Sequence, residues 1–365
     1  MPRQYPQLEV HLDRLRQNAQ EITKRCRAIG IDVCGVIKGC SGLPAVAQAF
    51  LSGGVTELAS SRIEQIMRCR QAGVPGPYLL LRVPGLSELP DLVCWCDRSL
   101  QSEEETLRAL EEECARQEKE HSVILMTDLG DLREGCWEEE ELVHLAVMTE
   151  QELSHVHLRG IGVNLGCYGS IEPTPEKMHE LLHRASAVEK AIGRQLEVIS
   201  GGATTSFLLV HRGTMPAGIN HLRIGDNILI SKGLQIDWGI QGMEYLRMDT
   251  FILRAEVLEV KVKPTYPQGK IALDAFGHCP TYVDRGFRRR ALLGFGRADV
   301  GAVEELLPRT PGLQIVGASS DHCIVDVEDC GEIKVGDVLE FSLSYENLLY
   351  YSELQDKVIT YIDEE

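Results

Sequence analysis

Apolar positions along the first two-thirds of the chain alternate between two textures. Short uninterrupted runs such as Val33–Ile37 and Val123–Met126 carry almost no charge. Between them lie longer stretches in which apolar residues recur every three or four positions. The first texture predicts buried strands and the second amphipathic helices. "RLRQNAQEITKRCRAIG" (14–30) and "RIEQIMRCRQAG" (62–73) each read as a helix closed by glycine. Strands are predicted over 31–37, 55–60, 77–84, 122–130, 158–166, 196–202 and 219–230, with a weak one over 96–102. Helices are predicted near 43–52 and over 102–117, 139–153, 174–193 and 204–212. Ser102 and Glu105 have the spacing of a capping box for the helix at 102–117.

About eight strand–helix units in about 230 residues match a (β/α)8 barrel, whose functional groups lie at the C-terminal ends of its strands. An open doubly wound sheet is the alternative, but no G-x-G-x-x-G follows the first strand. After residue 240 the texture changes to strand-like runs broken by Gly, Pro and Asp, including "TFILRAEVLEVKV", "KIALDAFG", "RRALLGFG" and "DVLEFSLS". The expected organisation is therefore a barrel over 1–239 and a β-rich domain over 240–365. The strand-like segment 7–13 is a candidate member of the second.

Composition narrows the function. The net charge of −18, from 37 basic and 55 acidic residues, disfavours nucleic acid and anionic membranes as partners. The N-terminus lacks the apolar core of a signal peptide, and no apolar run is long enough to span a bilayer. A cytoplasmic protein is expected. The twelve cysteines are scattered without C-x-x-C spacing, so they read as reduced thiols and no metal site is expected.

The strand ends then become informative. Lys38 closes the apolar run of the first strand. Burial there would desolvate its ammonium and lower its pKa, as a Schiff-base lysine requires; the plainer reading is a lysine that snorkels to the barrel mouth. "SGGATTS" (200–206) places glycines and hydroxyls between a strand and a helix, either as an anion cradle or as a turn with an N-cap. An aldimine lysine and a phosphate cradle in one barrel mouth are what pyridoxal 5′-phosphate needs. Arg223 is either the partner of that cofactor's pyridine nitrogen or a surface ion pair with Asp226. Facing the nitrogen, an arginine leaves the ring a weaker electron sink than a carboxylate would, which suits removal and return of a Cα proton.

Taken in order, "GVIKGCSG", "DLGDLREG", "GIGVNLGCYG", "ISGGATTS", "NHLRIGD" and "GASSDHCIVDV" resemble the alanine racemase-like, fold-type III pyridoxal-phosphate enzymes, and the ornithine racemase branch most of all. The resemblance implies an amino-acid racemase working through an external aldimine of the cofactor, with ornithine or a similar basic amino acid as substrate. Lys38 would be the aldimine lysine and first acid/base. Thr204, Thr205, Gly225, Asp226 and Tyr345 would contact the phosphate, and Arg223 the pyridine nitrogen. Arg133 and Asp321 would contact substrate. Asp128 and Asp131, with Glu134, could hold a substrate ammonium or could pair with Arg133 and cap the next helix. The family forms homodimers in which each β-domain completes the partner's site.

The second base departs from the family pattern. Racemisation needs a group on each face of the planar carbanion. Simple register places Phe276 where the family has a tyrosine. Cys279, His278 and Tyr282 are the leading substitutes, with Asp274 and His322 also near in sequence. A decarboxylase of the same fold type and a non-catalytic cofactor carrier are the alternatives. Arg223 argues against the first, because such decarboxylases place a glutamate at the nitrogen, and the long β-domain argues against the second.

Overall fold

A computed structural model describes residues 4–364 except 274–276, 278 and 280. The chain divides into two compact units, one formed by residues 13–247 and the other by 1–12 with 248–365.

The larger unit is a closed barrel of eight parallel strands, in the sequential order predicted from the alternating textures: Asp32–Val36 (β1), Glu57–Ser60 (β2), Tyr78–Leu80 (β3), Arg98–Gln101 (β4), His121–Thr127 (β5), Val156–Val163 (β6), Val198–Ser200 (β7) and His221–Ile224 (β8). Strand side chains alternate between faces. In β1, Cys34 and Val36 join the barrel's interior cluster with Ala59, Leu79, Leu100, Ile124, Met126 and Val198. Gly35 faces outward instead, where a Cβ would come within 2.7 Å of Phe50 on the helix Pro44–Ser52. Closure pairs β1 with β8, setting Cys34 beside Arg223, and β1 with β2, setting Cys34 beside Glu57.

Two local expectations are corrected, and one helix is added. The run 219–230 is not one strand: β8 ends at Ile224, and a short helix, Asp226–Leu229, follows because Gly225 accepts from Ile228 and Leu229 N–H. The helix expected from Ser102 starts at Glu104 with Glu103 as its N-cap and no side-chain cap bond, so the Ser102–Glu105 capping box does not form. A helix unread in the sequence, Leu89–Trp95, lies between β3 and β4. The barrel unit extends past residue 239 because its last segment is tied down. Leu234, Met243 and Leu246 are buried, and the Asn18 side chain accepts from Arg247 N–H while donating to the carbonyls of Ile228 and Arg247.

Among the described residues, the second unit is built on an eight-stranded sheet. Its long strand Phe251–Pro264 lies between Val338–Ser342 and Phe287–Leu293, both antiparallel to it. Gln7–His11 pairs antiparallel with the start of that long strand and parallel with Val358–Ile362. The described part of "KIALDAFG" contains no strand. Among the described residues, no helix is long and apolar enough to cross a membrane.

Gly160 in β6 tests barrel packing. A Cβ there would lie 1.8 Å from the Val198 carbonyl oxygen, a backbone atom of the neighbouring strand that cannot turn aside. Gly160→Ala is expected to destabilise the barrel by about 3 kcal/mol, read as a lower urea midpoint. An unchanged midpoint would show that β6 and β7 are less tightly apposed.

Candidate active site

Lys38 opens a three-residue 3-10 turn immediately after β1. Burial lowers its pKa below the ordinary lysine value. Arg133 and Arg223 push it the same way, while Cys167 and Glu134 oppose them. The barrel mouth therefore gathers Lys38, Arg133, Glu134, Cys167 and Arg223 into one electrostatic neighbourhood. Of these, Cys167 had no role in the sequence reading; the signal available was its place one residue past Gly166, in a loop that follows a barrel strand.

The loops after β7 and β8 meet at the same end. Gly225 N–H donates to Thr204 Oγ1 at 3.1 Å. Gly202 has φ +118°, and a Cβ there would fall 2.4 Å from Ser206 Oγ. Ser206 Oγ and Asn164 Nδ2 are buried without a hydrogen-bond partner among the described residues. Such orphaned groups are costly unless a ligand or water satisfies them. Thr205 is placed differently from Thr204, because its hydroxyl donates to the Leu165 carbonyl at 2.9 Å. Ser200 does not join the anion loop; it faces the barrel interior, where it accepts from Arg223 and lies 2.8 Å from His221 Nδ1.

Arg223 is 3% exposed and so is not in a surface ion pair. Its Nη2 donates to the Val163 carbonyl at 2.9 Å and its Nη1 to Ser200. Other guanidinium N–H groups are left without a protein acceptor among the described residues. Burial lowers its pKa from the usual arginine range.

The acidic loop after β5 is largely self-satisfied. Asp128 accepts from Gly130 and Leu132 N–H at 2.8 and 3.2 Å. Asp131, 2% exposed, accepts from Cys167 and Tyr168 N–H at 3.2 and 3.1 Å, pinning the loop after β6. Arg133 is exposed and forms a two-point pair with Glu134, Nη2–Oε1 2.7 Å. Burial works against its charge, but the hydrogen bonds and charge of Glu134 prevail and raise its pKa.

The remaining candidates belong to the β-rich unit. Asp321 is exposed and accepts from Ser320 Oγ at 2.6 Å. Tyr345 is half-buried at the start of the helix Tyr345–Glu353, which Ser344 caps. Cys279 is exposed, and Tyr282 is exposed with its ring edge-on to Tyr266. His278, Asp274 and Phe276 lie outside the described residues. No cysteine is paired, and burial pushes Cys26, Cys40 and Cys323 up to about 12, so these are inert core thiols.

Residues 10–229 match the family model described as alanine racemase, N-terminal domain. Over 349 residues the chain is 38% identical to a lysine racemase of Thermotoga maritima, covering 94% of this chain and 95% of that one. The chain belongs to the alanine racemase family. This family member is an amino-acid racemase, an isomerase, as its ordered motifs imply. It is also 37% identical to an ornithine racemase of Acetoanaerobium sticklandii, with 94% and 96% of the two chains covered. Its fold is that of the alanine racemase from a D-cycloserine-producing Streptomyces lavendulae, TM-score 0.75 at 18% identity over 97% of this chain and 96% of that one.

Asp226 makes the racemase's stability depend on pH. Burial raises its carboxyl to about 6, with Asp237 adding, while Gly233 N–H and Lys232 oppose. A carboxyl raised in the folded state favours folding when protonated, and that contribution is lost as pH rises from the unfolded value near 3.8 through about 6. Asp226→Asn is expected to melt a few degrees above the parent at about pH 7.5, with the gap closing by about pH 4. Thermal melts of ligand-free protein across this range check it. A constant gap would exclude the carboxyl as its cause.

Proposed function

We propose that this racemase interconverts the L and D forms of a basic amino acid, lysine or ornithine, with pyridoxal 5′-phosphate held at the barrel mouth. The observation that carries the cofactor is the desolvated Lys38 at the end of β1, in the same mouth as Arg223 and the Thr204–Gly225 cradle. The residues fit the group. Ser206 Oγ and Asn164 Nδ2 are buried polar groups in want of partners among the described residues, and Gly202 lacks the Cβ that would press on Ser206 Oγ. The substrate class is supported by the two relatives, which resemble this chain over almost its whole length.

Thr204, whose hydroxyl accepts from Gly225 N–H and keeps its own proton to give, would hold the phosphate with the Asp226 N–H, the Gly225 N–H joining on leaving Thr204 Oγ1, and Tyr345 would be a further phosphate contact. Thr205 would brace the Gly166 turn, given its bond to Leu165. Arg223 would donate to the pyridine nitrogen. When bound, the cofactor supplies an electron-withdrawing ring that makes the Cα proton removable. Lys38 is suited to the proton transfer: a lysine with lowered pKa has a larger fraction of free amine near neutral pH. It would take or return the proton on one face of Cα. The opposite face needs a second group, and Cys279, His278 and Tyr282 of the β-rich unit remain the candidates, supplied by the partner in a homodimer. Arg133, fixed by Glu134, would bind the substrate carboxylate, with Asp321 a further contact. Both Glu134 oxygens are engaged by Arg133 and both Asp131 oxygens by loop N–H groups, whereas the loop bonds of Asp128 use Oδ1 alone, so the basic side chain would meet Asp128 Oδ2 most readily.

Arginine rather than a carboxylate at the ring nitrogen disfavours decarboxylation, because the weaker sink suits proton exchange. Purified protein given L-lysine, L-ornithine or L-alanine in deuterated water is expected to exchange Cα hydrogen fastest with the first two and to yield the D form by chiral chromatography. Lys38→Ala should lose the visible cofactor band and at least roughly 10³-fold in rate. Absence of exchange with every amino acid would rule the reading out.

A further inference from the structure

Beneath the mouth, five polar side chains form a continuous hydrogen-bonded line through the barrel. Arg223 Nη1 donates to Ser200 Oγ. Ser200 Oγ lies 2.8 Å from His221 Nδ1, and His221 Nε2 lies 3.3 Å from Glu57 Oε2. The other Glu57 oxygen accepts from Arg98. Ser200 is 0% exposed, Glu57 4% and His221 7%. The line crosses β8, β7, β2 and β4 and consists of side chains that face inward where the rest of the interior is apolar.

A guanidinium can only donate, so Ser200 Oγ accepts from Arg223, while its own proton and second lone pair let it either donate to or accept from His221 Nδ1. In both cases His221 Nε2 carries a proton and gives that hydrogen bond to the Glu57 carboxylate. Burial opposes a charged Glu57, but His221 and Arg98 outweigh it and hold the carboxylate below the usual range. The line thus begins on the cationic Arg223 and ends on an anion neutralised by Arg98.

Two other readings fail on the same contacts. Serine, histidine and a carboxylate also make hydrolase triads, but this serine is inaccessible and its oxygen already accepts from Arg223. Cys34, Glu57 and His221 bring donor atoms within 4.8 Å of one another, as a metal site would. Both His221 nitrogens and both Glu57 oxygens are engaged, however, and a dication would sit beside two guanidinium groups.

We propose that Glu57 is a positioning residue for racemisation, acting through His221 and Ser200 to hold Arg223 in place and set its strength as a donor to the cofactor's ring nitrogen. This rests on the assignment of Arg223 to that nitrogen. Buried networks of this kind respond as a unit, because removing one member leaves its neighbours unsatisfied.

The test compares Ser200→Ala and Glu57→Gln with wild type loaded with pyridoxal 5′-phosphate, and uses Ser200→Thr to restore the hydroxyl. Both breaking variants are expected to retain cofactor. The pH midpoint of the bound cofactor's absorption should move by about one unit, and kcat should fall about tenfold with KM unchanged. Ser200→Thr should recover both. If either variant folds, binds cofactor and loses thermal stability while the spectrum, its pH midpoint and kcat stay at wild-type values, the line is structural only and the proposal falls. Ser200→Ala removes one oxygen, so it serves if Glu57→Gln does not fold. A wild type that takes up no cofactor overturns the assignment of Arg223 and this proposal together; unchanged variants of a cofactor-binding wild type overturn this proposal alone.

Discussion

Closure of the barrel by β1 against β8 is the pairing on which the site depends. It is what sets Cys34 in register with Arg223 and carries Lys38 to the same rim as the Gly225 turn. Lys38 and Arg223 are far apart in sequence, and nothing local brings two cations together. The strand hydrogen bonds of closure and the apolar layer around Val36, Ala59 and Met126 hold them at one end against their repulsion. The lowered pKa of Lys38 follows from that placement, since burial is its largest cause and the two arginines add to it.

Buried charges in such a barrel are costly to desolvate, and an apolar replacement of similar volume is often as stable or more so. The line from Arg223 to Arg98 is therefore hard to explain by stability alone. Each of its members sits where a short strand turns a side chain inward, and each acceptor in it is occupied. Its acceptors are filled while Arg223 keeps N–H groups to spare, and a buried polar network satisfied in this way specifies one arrangement.

The barrel was legible because its evidence is periodic: eight apolar runs separated by helical stretches survive errors at any one boundary. Lys38 was legible as a charge ending an apolar run, and the glycine loop after β7 as an accumulation of small and hydroxyl residues. Glu57, Arg98 and His221 gave no such signal. Each lies in a strand of only four residues that holds at least one other polar residue, and so short a run does not reveal which face a side chain takes or what it meets across the barrel. Ser200 was visible but misplaced, because a hydroxyl at a strand end can turn to the loop or to the interior. Asp128 and Asp131 read equally as a substrate cluster or as structural partners of Arg133 and the next helix; the fold shows loop N–H groups on both oxygens of Asp131 and on Oδ1 of Asp128. The early end of β8 was hidden because "DNILI" is as apolar as a strand, whereas Gly225 lets the backbone turn into helix.

The bond from Asp131 to the backbone of Cys167 and Tyr168 has a consequence for how such an enzyme diversifies. It stitches together two loops from successive strands, and Gly169 lies against Asp131 so closely that a Cβ there would come within 2.7 Å of its carbonyl oxygen. An insertion or deletion in either loop would break the stitch in both. Changes of loop length are thereby closed off at this part of the rim, and new substrate preference has to arise by exchanging side chains on a backbone of fixed length.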